Sequence, residues 1–269
     1  RVFEVVFGEY TQHTDHCSVE GLWNAYEHQL RSIINTVEEG VDLHMAHMHE
    51  MFPELPLDLL CYGTIEKGKD ITAGAVEYYD IGIDAAGLSV AADSFAAIDQ
   101  RIETEGKLSW HELSEYIKND WAGPDGENSR LMMKAVPRYG YGGSIGDEYA
   151  QRISKLFTGI VKEKPTPAGY NLVPGLFSWA LAAAMGAKMG ATPDGRHAGD
   201  PLAHGSNPSP GFRTDNAATA LATAVAEVQP GYGQTAPLQL DIDPGITPEE
   251  GGIELVSALI RTHFNLGGT

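Results

Sequence analysis

The chain has 269 residues, 42% of them apolar, enough to bury a sizeable core, and its 18 basic against 37 acidic residues give a formal net charge of −19. That balance excludes a phosphate-binding surface, so neither nucleic acid nor an anionic membrane is an expected partner. The apolar runs fall short of the roughly 20 residues of a membrane span, and two cysteines in dissimilar contexts, Cys17 and Cys61, argue against a disulfide framework or a thiolate zinc site.

The expected setting is reduced and cytoplasmic. The opening Arg1-Val2-Phe3 has no methionine and no leader pattern, so the natural N-terminus is expected upstream. From Val19, the residues Leu22, Trp23, Tyr26, Leu30, Ile33, Ile34 and Val37 recur every three or four positions, which predicts a helix to about Glu39. A second helix is predicted over Leu57–Lys67, and a third places Leu88, Ala92, Phe95, Ile98 and Ile102 on one side. Ser109-Trp110-His111-Glu112 reads as a capping box opening a short helix to Asn119. Gly146–Lys162 repeats the amphipathic pattern through Tyr149, Ile153, Leu156, Phe157 and Ile160.

After Pro165 the texture becomes Gly- and Pro-rich around short apolar runs such as Leu172–Leu181. An Ala-rich helix is predicted over Asn216–Val228, and the alternation of Leu238, Leu240 and Ile242 with Gln239 and Asp241 predicts a strand. Thr247-Pro248-Glu249-Glu250 has the form of a cap for a last helix bearing Ile253, Val256, Leu259, Ile260 and Phe264. With no repeat, low-complexity tract or linker, residues 1–269 are expected to form one helix-rich α/β domain.

Two segments invite a chemical reading. His44, His47, Met48, His49 and Glu50 suggest a metal cluster, and a metal hydrolase would follow, yet zinc needs three or four converging ligands and no second cluster supplies them. A structural role is the simpler account. Ala191-Thr192-Pro193-Asp194-Gly195-Arg196 centres on Pro-Asp-Gly, a tight-turn sequence in which Pro sets φ, Asp caps and Gly accepts positive φ.

That segment continues through His197-Ala198-Gly199-Asp200-Pro201-Leu202, and the whole resembles a signature of the glycyl radical enzymes, the pyruvate formate-lyase-like family. Other matches keep the family order. Ile65–Asp70 resembles its "ERGKD" segment, Val90–Ile98 its "VADSLAAI" helix, Pro137–Gly140 its "PKYGN", Pro174–Phe177 its "PGLY", and Arg261–Gly268 its "RTYFKLGG".

The resemblance implies part of a ten-stranded α/β barrel of the glycyl radical enzyme type, namely the C-terminal portion of the barrel domain. It implies a radical lyase or dehydratase that cleaves a C–C, C–O, C–N or C–S bond of a small substrate through a thiyl radical, or a formate acetyltransferase-like enzyme. The cofactor would be a glycyl radical installed by a radical S-adenosylmethionine activating enzyme, with no bound metal, and the assembly a homodimer. The family's cysteine and glycine loops are expected outside this stretch, leaving the piece alone inactive. Cys17 sits in a linker entering a helix, and Cys61 is expected to be a buried structural thiol within one.

The resemblance also directs attention to Glu77, Tyr78, Tyr79 and Asp80 and to Phe177, Ser178 and Trp179 as substrate-pocket residues. A carboxylate and phenols in an enclosed cavity would orient a polar substrate or move a proton. On the alternative reading Tyr79 and Phe177 are core aromatics and Glu77 is solvated. Asp84, Asp93 and Asp194 are further acids, of which Asp93 is better explained by holding backbone and Asp194 by its turn. A competing reading makes the chain a non-catalytic subunit or truncated paralogue with a scaffold role.

Overall fold

The computed structural model describes residues 1–178, 181–211, 218–245, 248 and 251–269. It opens with α1 (Val2–Tyr10) and the long α2 (Val19–Met51), whose start is set by Ser18, its Oγ accepting from the Gly21 N–H at 3.1 Å. α2 runs well past the predicted end at Glu39. Between Gly40 and Met51 only Met45 is buried, so the helix continues on a mostly solvated face where no hydrophobic stripe marks it. Leu57–Lys67 instead forms two short turns, α3 (Leu55–Asp58) and α4 (Thr64–Lys67), because Gly63 adopts φ +90° and breaks the helix between them.

β1 (Ile81–Ala85) leads into α5 (Leu88–Ile98), which continues as a π-helical segment over Asp99–Thr104. α6 (Trp110–Lys118) carries the predicted capping box: the Glu112 N–H donates to Ser109 Oγ at 3.2 Å and the Ser109 N–H to Glu112 Oε2 at 2.9 Å. α7 (Gly126–Lys134) has no counterpart among the predicted elements; its apolar residues are too sparse to show a period. α8 (Ile145–Val161) has a second capping box, built by Ser144 and Asp147.

β2 (Leu172–Leu176), the short α9 (Ala182–Gly186), α10 (Ala218–Val228) and α11 (Gly252–Asn265) complete the chain. The predicted start of α10 at Asn216 lies outside the described residues, as do Thr247, Glu249 and Glu250 of the proposed last cap. The strand predicted over Leu238–Ile242 does not form. There the Asn207 carboxamide takes the place of a neighbouring strand: its Nδ2 donates to Gln239 O at 2.7 Å and its Oδ1 accepts from the Gln239 N–H at 2.9 Å.

β1 and β2 pair in parallel, from Ile81 opposite Leu172 to Ala85 opposite Leu176. The segment 233–235, bent at 233–234, lies along the far edge of β2: the Gly233 N–H donates to Pro174 O at 3.1 Å and the Leu176 N–H to Thr235 O at 2.6 Å. α5 packs along α8, and α8 against β2. Every residue of α5 is buried, so this helix is enclosed all round rather than amphipathic. Its Phe95 ring meets Phe3 of α1, Trp23 and Tyr26 of α2 and Tyr149 of α8, with centroids 5.0, 5.4, 5.6 and 5.3 Å away. Phe95→Ala removes the ring that joins four helices and is expected to cost about 3–5 kcal/mol, read as a lower urea midpoint.

The Thr192–Arg196 segment is the turn its sequence predicts, with Gly195 at φ +83° and its N–H donating to Thr192 O at 3.0 Å. It is also a junction. Asp194 and Asp93 of α5 are 2% and 0% exposed, and Arg138 lies between them at 4%. Arg138 Nη2 donates to Asp194 O at 2.8 Å and to its Oδ2 at 3.2 Å, while Nε stands 3.3 Å from Asp93 Oδ2 as an ion contact outside hydrogen-bond geometry. Asp93 Oδ1 accepts from the Tyr139 N–H at 2.8 Å, holding backbone as expected.

Burial pushes the Asp93 carboxyl up from 3.8 to about 7, against the opposing pull of Arg138 and the Tyr139 N–H. Between those values the folded chain holds a proton that the unfolded chain releases. This stabilisation is complete below pH 3.8 and is lost as pH rises through about 7. Asp93→Asn, which keeps an acceptor for Tyr139 but cannot ionise, is expected to flatten that decline, seen as a smaller drop in thermal midpoint from pH 5 to pH 8.

Candidate functional site

Alternation along β1 and β2 divides the sheet into two faces. Ile81, Ile83 and Ala85 pack against the core to which Leu172 and Leu176 belong. The other face carries Gly82, Asp84, Val173 and Gly175. Pairing continues one residue beyond β2, where the Phe177 N–H donates to Ala85 O at 3.0 Å, and this extends the same face to Phe177.

At both glycines of that face a β-carbon would displace an overlying side chain. A Cβ at Gly82 would fall on the Gln234 carboxamide, and a Cβ at Gly175 on Asp84 Oδ1, with Gln234 Oε1 3.1 Å away. The side chain of Gln234 therefore crosses β2 to lie over β1, and the Asp84 carboxyl lies over its register partner Gly175. Partial burial raises the Asp84 carboxyl above its ordinary value. At the end of β2, buried Ser178 places its Oγ 3.1 Å from His204 Nδ1, and the Phe177 and His204 rings meet edge to face at 5.2 Å. The result is a polar strip on an otherwise bare parallel sheet: an acid, a carboxamide and an imidazole around an aromatic ring.

Phe177 and Ser178 thus stand together on or beside this strip, and Trp179 lies outside the described residues. Glu77, Tyr78 and Asp80, just before β1, are exposed, as Asp84 and Gln234 are. Tyr79 is half-buried and engaged locally: its hydroxyl donates to Ile71 O and accepts from the Gly74 N–H at 2.8 Å, and its ring meets Tyr170 at 5.7 Å.

Asp84 appeared in the sequence only as one acid among several. The alternation Ile-Gly-Ile-Asp-Ala was the available signal, since it sets Gly82 and Asp84 on one face. Nothing local marks Gln234 or His204, which arrive through contacts distant in sequence.

Neither cysteine reaches the strip. Cys17 Sγ lies 3.6 Å from Tyr10 O and 3.5 Å from His13 O, and burial pushes its thiol up. Cys61 is in the turn between α3 and α4 and half-exposed, not buried within a helix as expected, because Gly63 ends the helical path. The His44–Glu50 stretch lies on the solvated end of α2, where His47 Nδ1 is 3.6 Å from Glu50 Oε2. Among the described residues no three His, Cys, Asp or Glu side chains are grouped to hold a metal ion, and no helix is long and apolar enough to cross a membrane.

A family model described as "Pyruvate formate lyase-like" matches residues 3–186. The chain belongs to that family, the glycyl radical enzymes. It is 26% identical over 251 residues to trans-4-hydroxy-L-proline dehydratase of Clostridioides difficile, covering 93% of this chain and 32% of that protein. It is 27% identical over 264 residues to isethionate sulfite-lyase of Oleidesulfovibrio alaskensis, covering 92% and 30%. Among solved structures it superposes on the B12-independent glycerol dehydratase from Clostridium butyricum with a TM-score of 0.90 at 24% identity, covering 100% of this chain and 35% of that one. A Roseburia inulinivorans structure concerned with 1,2-propanediol dehydration gives 0.91 at 24% identity, covering 100% and 36%.

The chain thus spans about a third of the length of the relatives it matches, and its fold is that of part of a glycyl radical enzyme α/β barrel. Because the overlying side chain must move to admit a β-carbon, Gly175→Ala is expected to cost about 0.5 kcal/mol through displacement of Asp84. Asp84→Ala in the same chain should recover much of that loss. A double-mutant cycle in thermal or urea unfolding reads the coupling, and additive effects would show that the two positions do not meet.

Proposed function

We propose that the chain is part of a radical lyase or dehydratase acting on a small polar molecule, and that the Asp84–Gly175–Gln234 strip is a wall of its substrate chamber. The observation that carries this reading is the pair of glycines, which clear one face of a parallel sheet so that Asp84 and Gln234 can lie flat across it. A family barrel of this kind gives such a face an interior to look into. Asp84, its carboxyl raised by partial burial, accepts a hydrogen bond from substrate or holds a proton for it. Gln234 offers a donor and an acceptor, and Phe177 supplies apolar contact.

Glu77, Tyr78 and Asp80 are assigned to the rim before β1, with Tyr79 as its support. The glycyl radical and the thiyl that abstracts hydrogen are assigned to other parts of the polypeptide. Neither Cys17 nor Cys61 stands on the strip, so neither thiol is given a step in the chemistry. A cytoplasmic homodimer and a radical S-adenosylmethionine activating enzyme complete the proposal.

The test uses the full-length polypeptide, treated anaerobically with an activating enzyme and S-adenosylmethionine. A glycyl doublet in the electron paramagnetic resonance spectrum is expected, with turnover of a small substrate. Asp84→Asn should keep the doublet and lower kcat/KM by about 10²–10⁴-fold, the scale of one positioned acid or base. No doublet under conditions that activate a known glycerol dehydratase would overturn the enzyme reading. A doublet with Asp84→Asn fully active would remove Asp84 from the wall.

A further inference from the structure

Ser178 is 1% exposed, so its hydroxyl hydrogen needs an acceptor inside the protein. The partner found for it among the described residues is His204 Nδ1, at 3.1 Å. With Ser178 as donor, Nδ1 is the acceptor nitrogen, and a neutral imidazole then carries its hydrogen on Nε2. The edge-to-face contact with Phe177, at 5.2 Å and an interplanar angle of 67°, fixes the plane of the ring. The backbone beneath it is also held, the Asn207 N–H donating to His204 O at 2.9 Å. His204 itself is only half-buried. One nitrogen is occupied, the ring is clamped, and no described residue partners the other nitrogen, which this tautomer leaves as a donor.

We infer that His204 is a substrate-binding residue whose Nε2–H donates to an oxygen of the bound molecule, and that Ser178 is the positioning residue that sets its tautomer. The inference rests on the chamber-wall reading above and adds to it a polarity. A donor at the Phe177 end of the strip faces an acceptor at Asp84, so the strip reads one oxygen as acceptor and another polar group as donor.

Single-residue replacements separate the two roles of the ring. In Asn the carboxamide sits near the Nδ1 position and can keep the Ser178 bond, whereas in Gln it reaches toward Nε2. A structural histidine is therefore rescued by Asn and a substrate donor by Gln. The full-length polypeptide is titrated calorimetrically with glycerol, 1,2-propanediol, trans-4-hydroxy-L-proline and isethionate as probes. For the probe that binds, His204→Leu and His204→Asn are expected to weaken binding about five- to tenfold, the scale of one lost hydrogen bond. His204→Gln should restore most of it. Ser178→Ala should weaken it a few-fold, and Ser178→Thr, which keeps the hydroxyl, should not.

Unchanged affinity in His204→Leu, or rescue by Asn rather than Gln, overturns the assignment while leaving the chamber wall intact. Failure of the wild-type polypeptide to bind any of the four probes overturns the chamber wall itself, and the role of His204 with it.

Discussion

Arg138, sealed between Asp93 and Asp194, is the contact on which the arrangement of this chain depends. Three segments far apart in sequence converge on one guanidinium: the enclosed helix α5, the Pro137–Gly140 stretch and the Thr192–Arg196 turn. Two acids and one base share a site that water does not reach. Removing the base alone would strand buried carboxylates, a change of the kind that typically costs about 3–5 kcal/mol. The raised Asp93 carboxyl is the signature of this crowding: burial outweighs the attraction of Arg138, so the acid remains partly protonated near neutrality. The same groups also hold backbone, since Asp93 receives the Tyr139 N–H and Asp194 offers its carbonyl to Arg138.

That junction fixes α5 at the C-terminal end of β1, and so fixes the sheet. With α8 packed against it, the sheet buries Leu172 and Leu176 on one side and leaves the other to Gly82, Asp84 and Gly175. The absence of two β-carbons has a specific effect there. It lowers the floor so that the side chains of Asp84 and Gln234 lie along the sheet instead of standing away from it. Polar groups held this way have fewer rotamers left to lose, as the proposed chamber wall requires. The Ser178–His204 pair applies the same logic at the far end of the strip.

The family matches read from the sequence survive as structure in different ways. Pro-Asp-Gly-Arg is a turn whose acid and arginine are both consumed by internal contacts, Arg196 donating to Gly190 O and, at 2.8 Å, to Asp200 O. The "VADSLAAI"-like helix is buried along its whole length, which explains why it is rich in Ala and Ser: close packing on every side leaves room for little else. Phe177 and Ser178 join the strip, whereas Glu77, Tyr78 and Asp80 stand exposed before β1.

Local physics was legible in the sequence. The hydrophobic stripe of α2, the Ser109–Glu112 capping box, the amphipathic α8 and the Thr192–Arg196 reversal each depend on residues within a few positions of one another. Ordered motifs added the family and with it the barrel. The sequence misled where local pattern and tertiary partner disagree. The end of α2 has no stripe because no core covers it, Gly63 breaks a helix whose apolar residues look continuous, and Leu238–Ile242 alternates like a strand but meets one asparagine side chain instead of a sheet. Only the tertiary structure decided where the acids stand. Asp93 is buried against Arg138, whereas Asp84 lies over Gly175 because strand register, across some ninety residues of chain, puts a missing β-carbon beneath it.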